Sequence, residues 1–470
     1  MRQCKHSSNS LSFSALLLVV NALSFSQDNT ESGEQGKKDE EILKFTLMEA
    51  VDYALDHSKT LKVADIDLEM KKRASQNGWN CLLPSVNVSA TMSRSNEVSA
   101  SLKPHLGTQA YPNDGDAAKW TRLASLGFEW QFTAAYIQKI RAAKAAYEDG
   151  QISFQDSINQ IEVNVKKAFY GLLLQKKSLD LSRTTLENSR QRMVQAQTNF
   201  KNGLVPELAM LQTQVAYQNM RPTVAQSERV YKQNLDGFAI LIGVPVGTEI
   251  ELVGNIEPYY VDLDYDNLIS KYGDNSLAIK SLDKKIEQVK LGISATGLGT
   301  WSPALVIGWT KQPMSLGAQN DSWSGFPSGD NWSDNGSLNL TVAWNLTNML
   351  PWSANRQSEK DLRAQLAQLE INRELLLENQ KRSVRSCVDT LIQCREQITA
   401  MNRNISLAQR SYDMTVRAYR NGTTELLEVR DAENSLTQAK IGLESEKLNY
   451  ISALMDLEST LNTKLTGGEK

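Results

Sequence analysis

Side chains able to do chemistry are scarce in this sequence. Its 470 residues include three histidines and four cysteines, against 54 Asp and Glu and 51 Lys and Arg. His57 and His105 stand isolated, and no Cys/His set has the spacing of a tetrahedral zinc site. Cys387 and Cys394 are seven residues apart, about 10.5 Å on one helix, whereas a disulfide spans under about 7 Å between Cα atoms. These two, like Cys81 beside Leu82-Leu83-Pro84, are expected to be inert packing residues. There is no phosphate-cradling glycine loop, no nucleophile elbow and no pair of histidines on one helix face. Trp301, Trp309, Trp323, Trp332, Trp344 and Trp352 could stack on a ligand, but anchoring at a membrane interface explains them more simply. The expectation is a protein with no catalysis, no cofactor and no metal. Whatever the chain does depends on the elements that position its carboxylates and aromatic rings.

Composition narrows those elements. A net charge of -3, with 22% charged and 41% hydrophobic residues, fits neither a nucleic-acid binder with a basic face nor a disordered acidic tail. Eleven prolines and 26 glycines are few breakers for this length, which suits long helices. Arg2 and Lys5 precede the apolar stretch Leu11 to Phe25, and Ala22, Ser24 and Ser26 offer a cleavage site. Residues 1–26 therefore read as a secretory signal peptide; a transmembrane anchor would need roughly 18 to 20 uninterrupted apolar residues. Cys4 precedes the apolar core, so lipid attachment there is not expected. Residues 27–44 read as a flexible polar leader.

An internal duplication organises the rest. At every seventh position from 158 the chain reads Ile158, Val165, Leu172, Leu179, Leu186, Met193, Phe200. A shift of 219 residues gives Leu377, Val384, Leu391, Ile398, Ile405, Tyr412, Tyr419, and lays Asn202-Gly203 on Asn421-Gly422 and Pro84 on Pro303. A seven-residue apolar seam belongs to a helix that supercoils with a neighbour. Small or polar side chains three places on, such as Ala168, Ser182 and Ala196, then Cys387, Ala408 and Thr415, allow close helix approach. No proline interrupts Thr133 to Phe200 or Ser353 to Tyr419. Each is a helix of about 67 residues, roughly 100 Å long. Each ends at Asn-Gly, suited to a reversal through positive φ. Return helices follow at about Pro206 to Ile242 and Glu425 to Leu465.

Before each long helix the apolar period changes to two. Val86, Val88 and Ala90 alternate, then Ala124, Leu126, Phe128, Trp130 and Phe132. In the second half Leu305, Ile307 and Trp309 alternate, then Leu338, Leu340, Val342, Trp344 and Leu346. Strands of this length with aromatic residues near their ends match a membrane barrel. The segments between them, His105 to Lys119 and Lys311 to Ser337, have loop composition. The smallest membrane barrels use about eight strands, so four must be pooled among copies of the chain. Two other readings stay open on the residues: a soluble periplasmic coiled-coil adaptor, and an uptake porin with a periplasmic extension.

The opening Phe45-Thr-Leu-Met-Glu-Ala-Val-Asp-Tyr-Ala-Leu, the Leu82-Leu-Pro-Ser-Val-Asn-Val-Ser-Ala segment, the duplication, and Tyr419-Arg-Asn-Gly followed by Leu426-Leu-Glu-Val together resemble the TolC-type outer-membrane efflux proteins. The resemblance implies a mainly α fold with membrane β. Two repeats, 45–260 and 261–465, each hold a strand pair and a long helical hairpin, and 466–470 forms a short tail. Three copies would form one 12-stranded β-barrel in the outer membrane, continuous with an α-helical periplasmic tunnel. Implied partners are a homotrimer, a periplasmic adaptor protein, an inner-membrane transporter and outer-membrane lipid. The family's acidic entrance positions fall on Glu428 and Asp431, three residues apart on one helical face; around a threefold axis they would form a periplasmic gate that attracts cations. A solvated helix face is the plainer reading, since Glu425, Arg430 and Glu433 lie nearby. Where the family often has an entrance-locking arginine this chain has Thr424, leaving Arg417, Arg420 and Arg430 as candidates. The turns Asn202, Gly203, Asn421 and Gly422 would face the adaptor.

Overall fold

The computed structural model describes residues 43–98, 119–261, 264–316 and 332–465. The signal at 1–26, the leader up to residue 42, His105, Trp323 and the tail 466–470 lie outside the described residues. The first described element is strand β1 (Leu43–Phe45), so Leu43 and Lys44, read above as leader, belong to the folded body. It pairs in parallel with β4 (Ile250–Leu252). Helix α1 (Leu47–His57) starts where Thr46 and Glu49 cap one another: the Thr46 N–H donates to Glu49 Oε2 at 2.9 Å and the Glu49 N–H to Thr46 Oγ1. Helix α2 (Lys59–Gln76) follows.

The long helices are α3 (Ala135–Lys201) and α7 (Ala354–Arg420), each of 67 residues. Their return partners are α4 (Glu207–Ile242) and α8 (Leu426–Leu461), each of 36. All four bounds repeat at the offset of 219 residues (354 less 135, 420 less 201, 426 less 207, 461 less 242). Helices α5 (Tyr265–Tyr272) and α6 (Leu277–Trp301) open the second repeat as α1 and α2 open the first. Pro222 lies inside α4, where it removes one helical hydrogen bond. It faces solvent, and so does Gln218, whose carbonyl loses its donor and can take one from water.

Two apolar cores sit midway along the long helices, where the return helices end. The first gathers Val165, Phe169 and Leu172 of α3, Phe238 and Ile242 of α4, and Val51 and Ala54 of α1. The second gathers Val384, Val388 and Leu391 of α7 with Leu457 and Leu461 of α8. These positions superpose at the same offset, so duplication of the seam is duplication of the core. Toward the tips the seam loosens: Leu186, Met193, Ile405 and Tyr412 are half-buried and Phe200 is exposed. Cys394 is buried and Cys387 half-buried, both as free thiols. Burial pushes both thiols up, which keeps them protonated and unreactive.

The strands form one antiparallel sheet. Strand β2 (Ser85–Arg94) pairs β3 (Trp120–Phe132), which pairs β5 (Ala304–Lys311), which pairs β8 (Ser337–Ala343). Short β6 (Pro313–Leu316) and β7 (Ser333–Asp334), not anticipated from sequence, extend the third and fourth strands beyond β5 and β8. The register places Val86 opposite Phe128, Phe128 opposite Trp309 and Trp309 opposite Leu338. Directly opposed residues share a face. One face is therefore apolar across all four strands and the other carries Ser, Thr, Asn and Gly. On β8 this apolar face is uncovered: Leu338, Leu340 and Val342 are 73%, 70% and 68% exposed. β2 and β8 each leave one edge unpaired among the described residues. No helix among them is long and apolar enough to cross a membrane.

Candidate entrance site at the hairpin tips

Both tips are built by the same local physics. At the first, the Leu204 N–H donates to Asn199 O at 2.8 Å and Gly203 takes φ 73°. At the second, the Thr423 N–H donates to Ala418 O at 3.0 Å and Gly422 takes φ 74°. This is the Schellman closure, in which a left-handed residue just past the helix end satisfies its last carbonyls. No neighbouring atom lies within 4 Å of where a Cβ would stand at either glycine, so dihedral angle alone demands glycine there. The Asn residues preceding them are not left-handed: Asn202 and Asn421 have φ of -86° and -85°.

Glu428 and Asp431 both lie on the exposed side of the first turns of α8. Glu428 accepts a hydrogen bond from the Thr424 hydroxyl, so the residue standing in place of the expected arginine positions the first acid. Asp431 Oδ1 lies 3.7 Å from Arg430 Nε; a pair this exposed contributes at most about 1 kcal/mol. Arg417 and Arg420 occupy the last turn of α7, where a cation suits the helix dipole, and neither has an ion-pair partner among the described residues.

The first repeat supplies an arginine to this region instead. Arg192 of α3 forms an ion pair with Glu433 of α8, and Asn188 Nδ2 donates to the same carboxylate at 2.8 Å. The Glu433 side chain is 7% exposed, so it does not belong to a solvated face as its neighbours suggested. Burial, and after it the Glu433 charge, push the Tyr412 hydroxyl up. The signal was present in the sequence: Glu433, Lys440, Lys447, Leu454 and Leu461 recur every seventh residue, a seam that is apolar at the end of the return helix and charged toward the tip.

The Arg192 pair is the lowest rung of a polar seam between the hairpins. Above it lie Lys177 with Glu444 at 3.0 Å, Lys167 with Asp456 at 2.5 Å, and Asn159 with Asn462 at 2.9 Å. Two cavities of about 360 and 350 Å³ adjoin its lower half. The first is lined by Arg192, Thr213, Arg430 and Glu433, the second by Leu181, Ile405, Lys440 and Glu444. Within each hairpin the helices meet through the apolar cores; between hairpins, toward the tip, the ties are charged and the packing is open. Among the described residues no group of His, Cys, Asp and Glu could hold a metal ion.

Comparison with known proteins agrees with this architecture. A membrane protein from Pseudomonas aeruginosa superposes with a TM-score of 0.70 at 17% identity, covering 88% of this chain and 93% of its own. The outer membrane protein VceC from Vibrio cholerae gives 0.68 at 15%, covering 89% and 96%. The CmeC outer membrane channel of Campylobacter jejuni gives 0.71 at 15%, covering 90% and 87%. No individually curated sequence matches the chain. The sequence pattern of the outer membrane efflux proteins matches residues 50–244 and 310–463, one stretch in each repeat. With a long stretch of each repeat matched, together well over half of the chain, the chain belongs to the outer membrane efflux protein family.

Proposed function

We propose that the chain is one protomer of a trimeric, passive exit duct in the outer membrane, and that its periplasmic tunnel receives substrates from an inner-membrane transporter through an adaptor protein. One observation carries this reading: a four-stranded sheet, apolar on one face except for basic residues at its end far from the helices, and open at both edges among the described residues, sits at the end of two helical hairpins. A lone sheet cannot keep such a face in water, and its edge N–H and C=O groups need partners. Closing it with further copies satisfies the edges, puts the apolar face on lipid and leaves the polar face on a water-filled lumen. The likeness to proteins described as outer membrane channels supports the same conclusion. The Arg2, Lys5 and Leu11 to Phe25 pattern supports export across the inner membrane.

At the opposite end Glu428 and Asp431 form the cation-attracting entrance, six carboxylates around the threefold axis. Arg192, rather than Arg417, Arg420 or Arg430, is the arginine that ties the second hairpin to the first. The turns at Asn202, Gly203, Asn421 and Gly422 form the ring that meets the adaptor. Energy for movement comes from the partner transporter. Native mass after extraction of the membrane fraction tests the reading. Release only by detergent, as a trimer, is the expected result. Release by carbonate as a monomer or dimer would overturn it and bring the soluble adaptor reading forward.

A further inference from the structure

The polar face of the sheet is uniform in chemistry except at one position. Its residues are Ser, Asn and Thr along β2, Thr and Gly along β5 and Ser, Asn and Thr along β8, with occasional Ala, Val and Leu. Among the described residues of these four strands, Glu129 of β3 is the one charged side chain on that face. The basic residues Arg94, Arg122 and Lys311 fall on the opposite face, at the end far from the helices. Glu129 stands opposite Ser85 and Gly308, with Gly127 two residues before it and Gln131 two residues after it on the same face, so its neighbours are uncharged. The Ser85 hydroxyl lies 3.4 Å from the Glu129 backbone carbonyl and does not engage the carboxylate. The side chain is exposed, and no ion pair to it occurs among the described residues. Its position three residues before Phe132, which leads into α3, sets it at the helix end of the sheet.

We propose that Glu129 is a second selectivity residue of the duct, forming with its symmetry copies a ring of three carboxylates on the inner wall where barrel meets tunnel. This rests on the trimeric reading above. Twelve strands spaced about 4.8 Å apart and tilted about 40° enclose a backbone cylinder roughly 24 Å across. Side chains pointing inward bring the carboxylates to about 10 Å from the axis, one screening length at 0.1 M salt. The ring therefore acts on every ion that passes, but weakly: three screened charges at that distance change the local cation concentration by about twofold. It favours cationic or zwitterionic solutes over anions and is independent of the entrance at Glu428 and Asp431.

The test is the reversal potential of the full-length trimer in planar bilayers under a potassium chloride gradient. A background carrying Glu428→Ala and Asp431→Ala removes selection by the entrance. Because the same potential that doubles potassium halves chloride, Glu129→Gln should lower the ratio of potassium to chloride permeability by about fourfold, and Glu129→Lys should lower it further. Unchanged ratios in both variants would overturn the proposal while leaving the duct intact. A parent protein with no conductance in this background, and monomeric in detergent, would instead sink the duct reading itself. Glu129→Gln alone decides if Glu129→Lys fails to assemble.

Discussion

The two hairpins share one backbone and carry different surfaces. Their helices have equal lengths, their buried seams superpose, and their tips close with glycines at φ 73° and 74°. Yet the first tip presents Leu204, Leu208 and Leu211, all exposed, while the second presents Thr423, Thr424, Glu428 and Asp431. The return helix of the first contains Pro222 and that of the second has no proline. Positions that fix geometry were kept through the duplication, whereas most outward positions at the tips diverged, the exposed pair Leu208 and Leu427 excepted. Buried volume and positive φ have few solutions; an exposed side chain has many.

The most severe break of this equivalence would come from the cores. Leu172→Ala and Leu391→Ala remove matched side chains that are 4% and 0% exposed. Each should cost about 2–5 kcal/mol, and the two should agree within about 1 kcal/mol if the repeats contribute equally. Denaturant unfolding of the detergent-purified protein measures both; a large loss from only one would show that a single hairpin dominates stability. Gly203→Ala and Gly422→Ala sharpen the comparison at the tips. With no atom near either Cβ, each should cost only the dihedral penalty, about 1–2 kcal/mol, equally in both hairpins. A markedly larger loss at one tip would reveal packing there that the single protomer does not contain.

The smallest effect on stability, and the largest on function, belongs to the surfaces that diverged. Replacing Glu428 and Asp431 by Ala should change stability by under about 0.5 kcal/mol, since both are exposed. The same change should raise conductance in planar bilayers and weaken block by divalent cations. Glu207→Ala, which removes the acid at the start of the first return helix, should do neither. Equal responses to the two replacements would mean that the hairpins contribute alike to the entrance.

Much of the fold was legible because its periods are local. A seam that repeats every seven residues located both long helices to within two residues of their observed ends, and alternation located all four main strands. The same locality limited what could be read at the site. Glu428 and Asp431, three residues apart on α8, both have exposed side chains, whereas the nearby Glu433 is buried because its partners, Asn188 and Arg192, lie in the other repeat, more than 240 residues away in sequence. Pro222 inside α4 interrupts no sequence pattern; the hydrogen bond it removes lies on a side of the helix that meets water.

The sequence by itself determined the duplication, the element lengths, the tip glycines and the change from helical to strand period, because each depends on neighbours along the chain. Only the tertiary structure decided that the apolar residues of four separate strands share one face, that Glu129 is the one charge on the other face among the described residues of those strands, and that a charged seam joins the hairpins. Those facts depend on register and on contacts between the two repeats, and side-chain periodicity within one segment carries no information about which distant segment it meets.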